Sequence, residues 1–269
     1  MYGMVKHRFS LFKAGKLGKL LLIINIFLCS CSEGTSDPEP KQIGSDQVNA
    51  FLETFLFQEG AAYTLFGDKP MTSLLIFTGT AKDISLEYLT PESREKVIYI
   101  DDKNLGNWTA WKSYLKDQKF KNFYFVEKVC ERDPSCTLYF LVNIPKTIEV
   151  CEKCNLSMDH LKGELDNQNS EFWRRFETDH YFAGLLYGFG EENVRGFLED
   201  PTKLVVSEEF NDHATKNEFP IPIYARLKED QTSRKYQKQR EVIKEKYRDR
   251  TILEVTFSQL SDLNSPSKY

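Results

Sequence analysis

Cysteine is the residue type in this chain with the widest chemical reach, and its spacing limits what that chemistry could be. Cys151-Glu152-Lys153-Cys154 is a CxxC pair. Such a pair exchanges disulfides when its first thiol sits at a helix N-terminus, where the helix dipole stabilises thiolate. The helical stretch here reads from Thr147 onward, so Cys151 falls several residues inside it and redox exchange is not expected. With Cys130 and Cys136 the pair would form C-x5-C-x14-C-x2-C, an irregular spacing for zinc, and no metal is assigned. Ser93-x-x-Lys96 and Ser113-x-x-Lys116 match an acyl-serine nucleophile and its lysine. The S-D-N and K-T-G segments that complete such a site are absent, as are G-x-S-x-G, H-E-x-x-H and a P-loop. Asp179-His180 is half of a catalytic pair by type, but adjacent helical residues point in different directions. No catalytic residue and no cofactor follow from these patterns.

The elements that would position these groups are mixed. Ser45-Asp46 is an N-cap pair, and Val48, Phe51, Leu52, Phe55 and Leu56 repeat at helical spacing until Gly60. Ala61–Phe66 continues as a further turn before the Gly67-Asp68-Lys69-Pro70 loop. Leu74–Thr78 is a compact apolar run, strand or buried helix. Thr90-Pro91 starts a helix, Val97–Ile100 reads as a short strand, and Asn107 caps a helix carrying Trp108, Trp111 and Leu115. Phe123–Val129 and Thr137–Asn143, rich in aromatic and β-branched residues, predict a hairpin joined by a loop containing Pro134. Glu171–Tyr187 predicts one helix and Glu191–Glu199 a shorter one. Phe219–Ile223 is held extended by its prolines. Thr232–Arg250 predicts a basic helix with Tyr236, Ile243 and Tyr247 as its apolar stripe. Residues 231–250 hold eight basic and three acidic side chains, a surface helix rather than one bound to lipid headgroups. The fold class is therefore α+β: helices packed around a small antiparallel sheet, as a single domain over residues 46–263, with 264–269 as a C-terminal tail.

The N-terminus gives the compartment. Residues 1–19 carry Lys6, Arg8, Lys13, Lys16 and Lys19 and no acid, and Leu20–Leu28 is a short apolar run. A positive head, an apolar middle and small residues at the end predict a secretory signal peptide over residues 1–30. The apolar run is about half the ~20 residues needed to cross a bilayer as a helix. The segment Leu28-Cys29-Ser30-Cys31 resembles the lipobox of bacterial lipoproteins. That resemblance implies lipidation of Cys31, whose thiol takes diacylglycerol before cleavage frees its amine for another acyl chain, such as palmitate. Two or more chains hold a protein stably on its membrane. Ser32 after the cysteine resembles the outer-membrane sorting pattern and favours the outer over the inner membrane. Ser32–Ser45 is a polar tether, making 31–45 the lipidated cysteine and its flexible leash. In an exported chain the four remaining cysteines point to disulfides. Three pairings can be drawn. The local one joins Cys130 to Cys136 at facing hairpin positions, and Cys151 with Cys154 is a second candidate pair.

Without its first 30 residues, which hold five basic residues and no acid, the chain's formal charge falls from −4 to −9. That balance argues against nucleic acid as a partner. Three phrases are similar to uncharacterised lipoproteins of chlamydia-like intracellular bacteria: Ala62–Pro70, Gly184–Asn193, and Phe219–Tyr224 leading into the basic helix. The resemblance supports the cell-envelope address and implies no activity. The expected function is a membrane-anchored envelope lipoprotein that binds a protein partner or serves a structural role. The alternative is an envelope enzyme acting on cell wall or by thiol–disulfide chemistry.

Overall fold

The structure is a computed structural model. It describes residues 43–77, 91–116, 118–130, 133–158, 160–206, 214–222, 225–227 and 230–262. The signal peptide, Cys31, the tether and the C-terminal tail lie outside the described residues.

In chain order the elements are α1 (Ile43–Glu53), which runs into a π-helical turn (Thr54–Gln58), then α2 (Ala61–Phe66), β1 (Met71–Phe77), α3 (Pro91–Leu115), β2 (Phe123–Cys130) and β3 (Asp133–Asn143). There follow α4 (Ile144–Lys153), α5 (Leu161–Asp166), α6 (Glu171–Thr178), α7 (His180–Leu186) and α8 (Glu191–Glu199). The chain ends with a 3-10 turn (Pro201–Lys203), β4 (Val205–Val206), β5 (Ala225–Arg226), α9 (Gln231–Tyr247) and α10 (Ile252–Ser261). The three-stranded sheet has the order β1-β3-β2, and β4 pairs with β5 antiparallel. The fold is of the α+β class, many helices with a small antiparallel sheet.

Contacts divide the chain into two compact units. One comprises Met1–Phe51, Leu75–Asp117 and Val129–Leu138; the other comprises Leu52–Leu74, Gln118–Lys128 and Tyr139–Tyr269. In the first, Val48, Phe51, Trp108 and Trp111 are buried. Phe51 stacks on Trp111 with ring centroids 5.8 Å apart, and Lys112 Nζ lies 3.9 Å over the Trp108 ring. In the second, the core is dominated by aromatics. Phe57 meets Phe219 and Tyr247, each at 5.2 Å. Phe140, Phe172, Trp173 and Phe176 form another cluster, where Trp173 Nε1–H donates to the Leu165 carbonyl at 2.9 Å. That bond satisfies the one polar group the indole carries inward.

Several boundaries differ from the sequence expectation. Residues 97–100 and Asn107 belong to the continuous helix α3, because three β-branched residues in a short window do not outweigh helical neighbours on both sides. The residues from 171 to 187 form two helices. Asp179 ends α6 and caps α7, accepting from the Phe182 N–H at 3.0 Å. Strand β3 begins at Asp133, four residues before Thr137. Pro134 therefore lies near the start of a strand, where its missing N–H is tolerated. Leu74–Phe77 is strand, and α10 is a helix that the sequence reading did not separate from the rest of the domain.

Candidate functional site

The thiols of the CxxC pair sit at the wrong end of a helix for exchange. Cys151 is in the last turn of α4 and Cys154 is its C-cap, donating its backbone N–H to the Val150 and Cys151 carbonyls at 3.0 Å. Both are free and buried. Burial, with the neighbouring Cys154 adding to it, pushes the Cys151 thiol up to about 12, and burial raises Cys154 as well. The negative end of a helix dipole also disfavours thiolate. Thiols this protonated are poor nucleophiles at neutral pH.

Cys130 ends β2 and is half-buried; Cys136 lies in β3 and is buried. The ladder between these strands has a readable register. The Ile144 N–H donates to the Asn122 carbonyl at 2.9 Å, and the Asn143 N–H to the Pro70 carbonyl at 2.8 Å on the β1 side. Lys128 and Phe140 both meet the Trp173 ring, at 5.4 and 5.0 Å, so they share a face. Counting along both strands from Ile144 opposite Asn122 sets Phe140 opposite Val126. Carried without a bulge, the same count sets Cys136 opposite Cys130. The shared face of Lys128 and Phe140 agrees with that count at their end of the strands.

The remaining sequence candidates are not brought together. Asp179 uses one carboxylate oxygen to cap α7 and places the other 3.3 Å from Arg175 Nε. It serves as a helix junction rather than as the orienter of His180. Ser113 and Lys116 close the end of α3 through a backbone bond. The side chains of Ser93 and Lys96 lie outside the described ones. Among the described residues, no group of three His, Cys, Asp or Glu side chains could hold a metal ion.

What the structure does bring together is the three phrases, Ala62–Pro70, Gly184–Asn193 and the proline run. Tyr63 Oη donates to the Pro220 carbonyl at 3.0 Å, and its ring meets Phe219 and Tyr236. Tyr236 Oη donates to the Gly188 carbonyl at 2.7 Å. Asn193 Nδ2 donates to Asp230 Oδ1, the cap of α9, at 3.0 Å. At the centre lies Lys69, only 6% exposed. Gly188, with φ +74, comes so close that a Cβ there would stand 2.9 Å from Lys69 Cγ and run into Tyr236 Oη. Asp68 points to another set of partners: Lys235 at 2.8 Å, Lys146 at 3.5 Å and the Gln239 amide at 3.0 Å. Burial lowers the Lys69 ammonium to about 8, against the opposing pull of Glu59.

Sequence reasoning passed over Lys69 because a lysine in a Gly-Asp-Lys-Pro turn reads as solvent-facing. The only signal was its place inside one of the three phrases. An amine kept partly neutral in apolar surroundings can act as a base or as a nucleophile toward carbonyl carbon. Comparison with protein-family models, curated proteins and solved structures finds no match to this chain.

Proposed function

We propose that this protein is a lipid-anchored component of the bacterial cell envelope whose folded part binds a protein partner or organises the envelope. The observation that carries the reading is the N-terminal sequence: a basic head, a short apolar run, and Leu28-Cys29-Ser30-Cys31 ahead of a polar tether. In this reading attachment is through lipid on Cys31; among the described residues no helix is long and apolar enough to cross a membrane. The outer membrane is the favoured destination, by the residue that follows the cysteine. The protonated, buried CxxC thiols weigh against the thiol–disulfide alternative. The negative charge of the mature chain suits a protein partner rather than nucleic acid.

Two measurements test this. Metabolic labelling with a fatty-acid probe should mark the wild type and leave Cys31→Ala unmarked; label retained by the variant overturns the anchor. In-cell cross-linking followed by purification from native membranes should return one envelope protein in stoichiometric amount. Recovery of the chain alone removes the partner-binding half of the reading.

A further inference from the structure

We propose that the first half of α9 faces the membrane, with Arg234, Lys235 and Lys238 resting on the anionic phosphate headgroups of the bilayer to which the chain is anchored. The inference rests on the lipid-anchor reading and goes beyond it, because an anchor and a tether alone leave the orientation of the folded part undetermined.

Helix α9 buries Ser233, Tyr236, Gln239, Ile243 and Tyr247, so its opposite side meets solvent. Counted over residues 231–250, its charges read as a solvated surface helix, but the ion pairs divide it into two unlike halves. In the second half each acid is taken by cations of that stretch. Glu241 lies 3.5 Å from Arg240 and 3.6 Å from Lys244, and Glu245 lies 2.6 Å from Arg248. The first half, Gln231 to Gln239, contains no acid. Its cap, Asp230, is buried and faces Arg226 at 3.6 Å. Lys235 reaches Asp68 at 2.8 Å, a carboxylate that Lys146 shares at 3.5 Å. Arg234 and Lys238 take part in none of these pairs. Both are exposed, and a spacing of four sets them on one stripe, with the exposed and neutral Gln231 and Gln237 around them.

Charge complementarity points this stripe at an anionic surface. Of the mature chain's formal −9, α9 contributes +4, so the rest carries −13. An anionic bilayer therefore repels the rest and attracts this stretch, within a screening length of about 8 Å at physiological salt. Each cation brought to such a surface gains about fivefold in population, so the two outside the ion pairs give about a twenty-five-fold preference for facing the membrane. That is too little to recruit a free protein. It suffices for one already held close, and Ser32–Ser45 spans at most about 50 Å when extended. A protein partner would need an apolar centre to its contact. The exposed large apolar side chain of α9 is Val242, which sits beside Glu241 and not among the three cations. Long cations interleaved with glutamines suit mobile phosphate headgroups.

The test uses the mature chain, residues 31–269, held on vesicles by an N-terminal polyhistidine tag and a nickel-chelating lipid in place of the acyl chains. Lys238 is the reporter, and peptide mapping reads its acetylation by a water-soluble succinimidyl ester. On vesicles with about 30% phosphatidylglycerol, Lys238 should react at least about fivefold more slowly than on phosphatidylcholine alone. Raising the salt to about 0.5 M should remove the difference. Arg234→Glu, checked for native circular dichroism, should restore the rate found on phosphatidylcholine, because it replaces an attraction with a repulsion. Equal rates on the two kinds of vesicle overturn the proposal, and so does equal protection on both, which charge could not produce. The same map on native membranes identifies the competing occupant. Protection there, without protection on protein-free anionic vesicles, would give the patch to an acidic protein and overturn the lipid assignment. Since the tag replaces the lipid, none of these outcomes depends on whether Cys31 is acylated in cells, which fatty-acid labelling decides separately.

Discussion

Burial acts on Lys69 by penalising its charged form, and the sign of the effect on stability follows. The folded-state pKa is lowered from 10.5 to about 8, so between those values the unfolded chain binds more protons than the folded one. Stability therefore rises with pH across that window, and below pH 8 the whole cost of holding the ammonium is felt. That cost is about 3 kcal/mol at neutral pH. Lys69→Met fills similar volume without a charge and should be more stable than the wild type in urea at pH 7. The difference should shrink by about 2 kcal/mol at pH 10. A difference that stays constant over that range would mean that Lys69 titrates like a surface lysine. None of this was legible from residue type, because burial of a turn lysine depends on chain segments far away in sequence. Gly188, from a distant stretch, packs against it. Cys151 and Cys154 were more legible. Their distance from the helix start, expected at Thr147 and found at Ile144, already argued against thiolate.

Asp179 shows why helical periodicity overran at the scale of elements. The apolar spacing of Phe172, Phe176, Ala183 and Tyr187 continues smoothly through it, so pattern alone predicts one helix. A short carboxylate competes for backbone N–H groups, however, and here it captures the Phe182 N–H and pairs with Arg175. Asp179→Ala removes the cap of α7 and should cost about 1 kcal/mol in chemical unfolding, while Asp179→Asn should recover most of it. The hairpin was legible in kind but not in its limits. Alternating aromatic and β-branched residues gave both strands, whereas Pro134 suggested a turn where β3 already runs. Carried without a bulge, the register places Cys130 and Cys136 as an opposed, hydrogen-bonded pair. Its Cα separation, about 5.5 Å, lies within the range a disulfide spans. Non-reducing peptide maps of protein purified from the envelope should show Cys130 linked to Cys136, with Cys151 and Cys154 both alkylated. A link from Cys130 to either cysteine of the CxxC pair would overturn the register as well as the pairing.

On the scale of the whole molecule, chain connectivity bears on how the protein unfolds. The chain passes between the two compact units five times, at Phe51, Leu74, Asp117, Lys128 and Leu138. Helix α1 itself crosses from one unit to the other between Phe51 and Leu52, and β1, β2 and β3 each have residues in both units. No single cut separates them, and a strand that loses its ladder at one end loses hydrogen-bonded neighbours at the other. Loss of structure in either unit should therefore be felt in both, giving one cooperative transition. The three tryptophans make this measurable, since Trp108 and Trp111 belong to one unit and Trp173 to the other. A Trp173→Phe variant reports by fluorescence on the first unit; a Trp108→Phe/Trp111→Phe double variant reports on the second. Each substitution keeps an aromatic ring in the core and should lower stability by about 1–2 kcal/mol. For each variant, the midpoint in urea by tryptophan fluorescence should coincide with its own midpoint by far-UV circular dichroism, which senses every helix at once. If one reporter melts at a lower urea concentration than the helix signal of the same variant, the units unfold separately and the single-domain reading of residues 46–263 fails. Coincidence in both variants would mean that the interleaved chain path, rather than any one cluster of side chains, sets the unit of cooperativity.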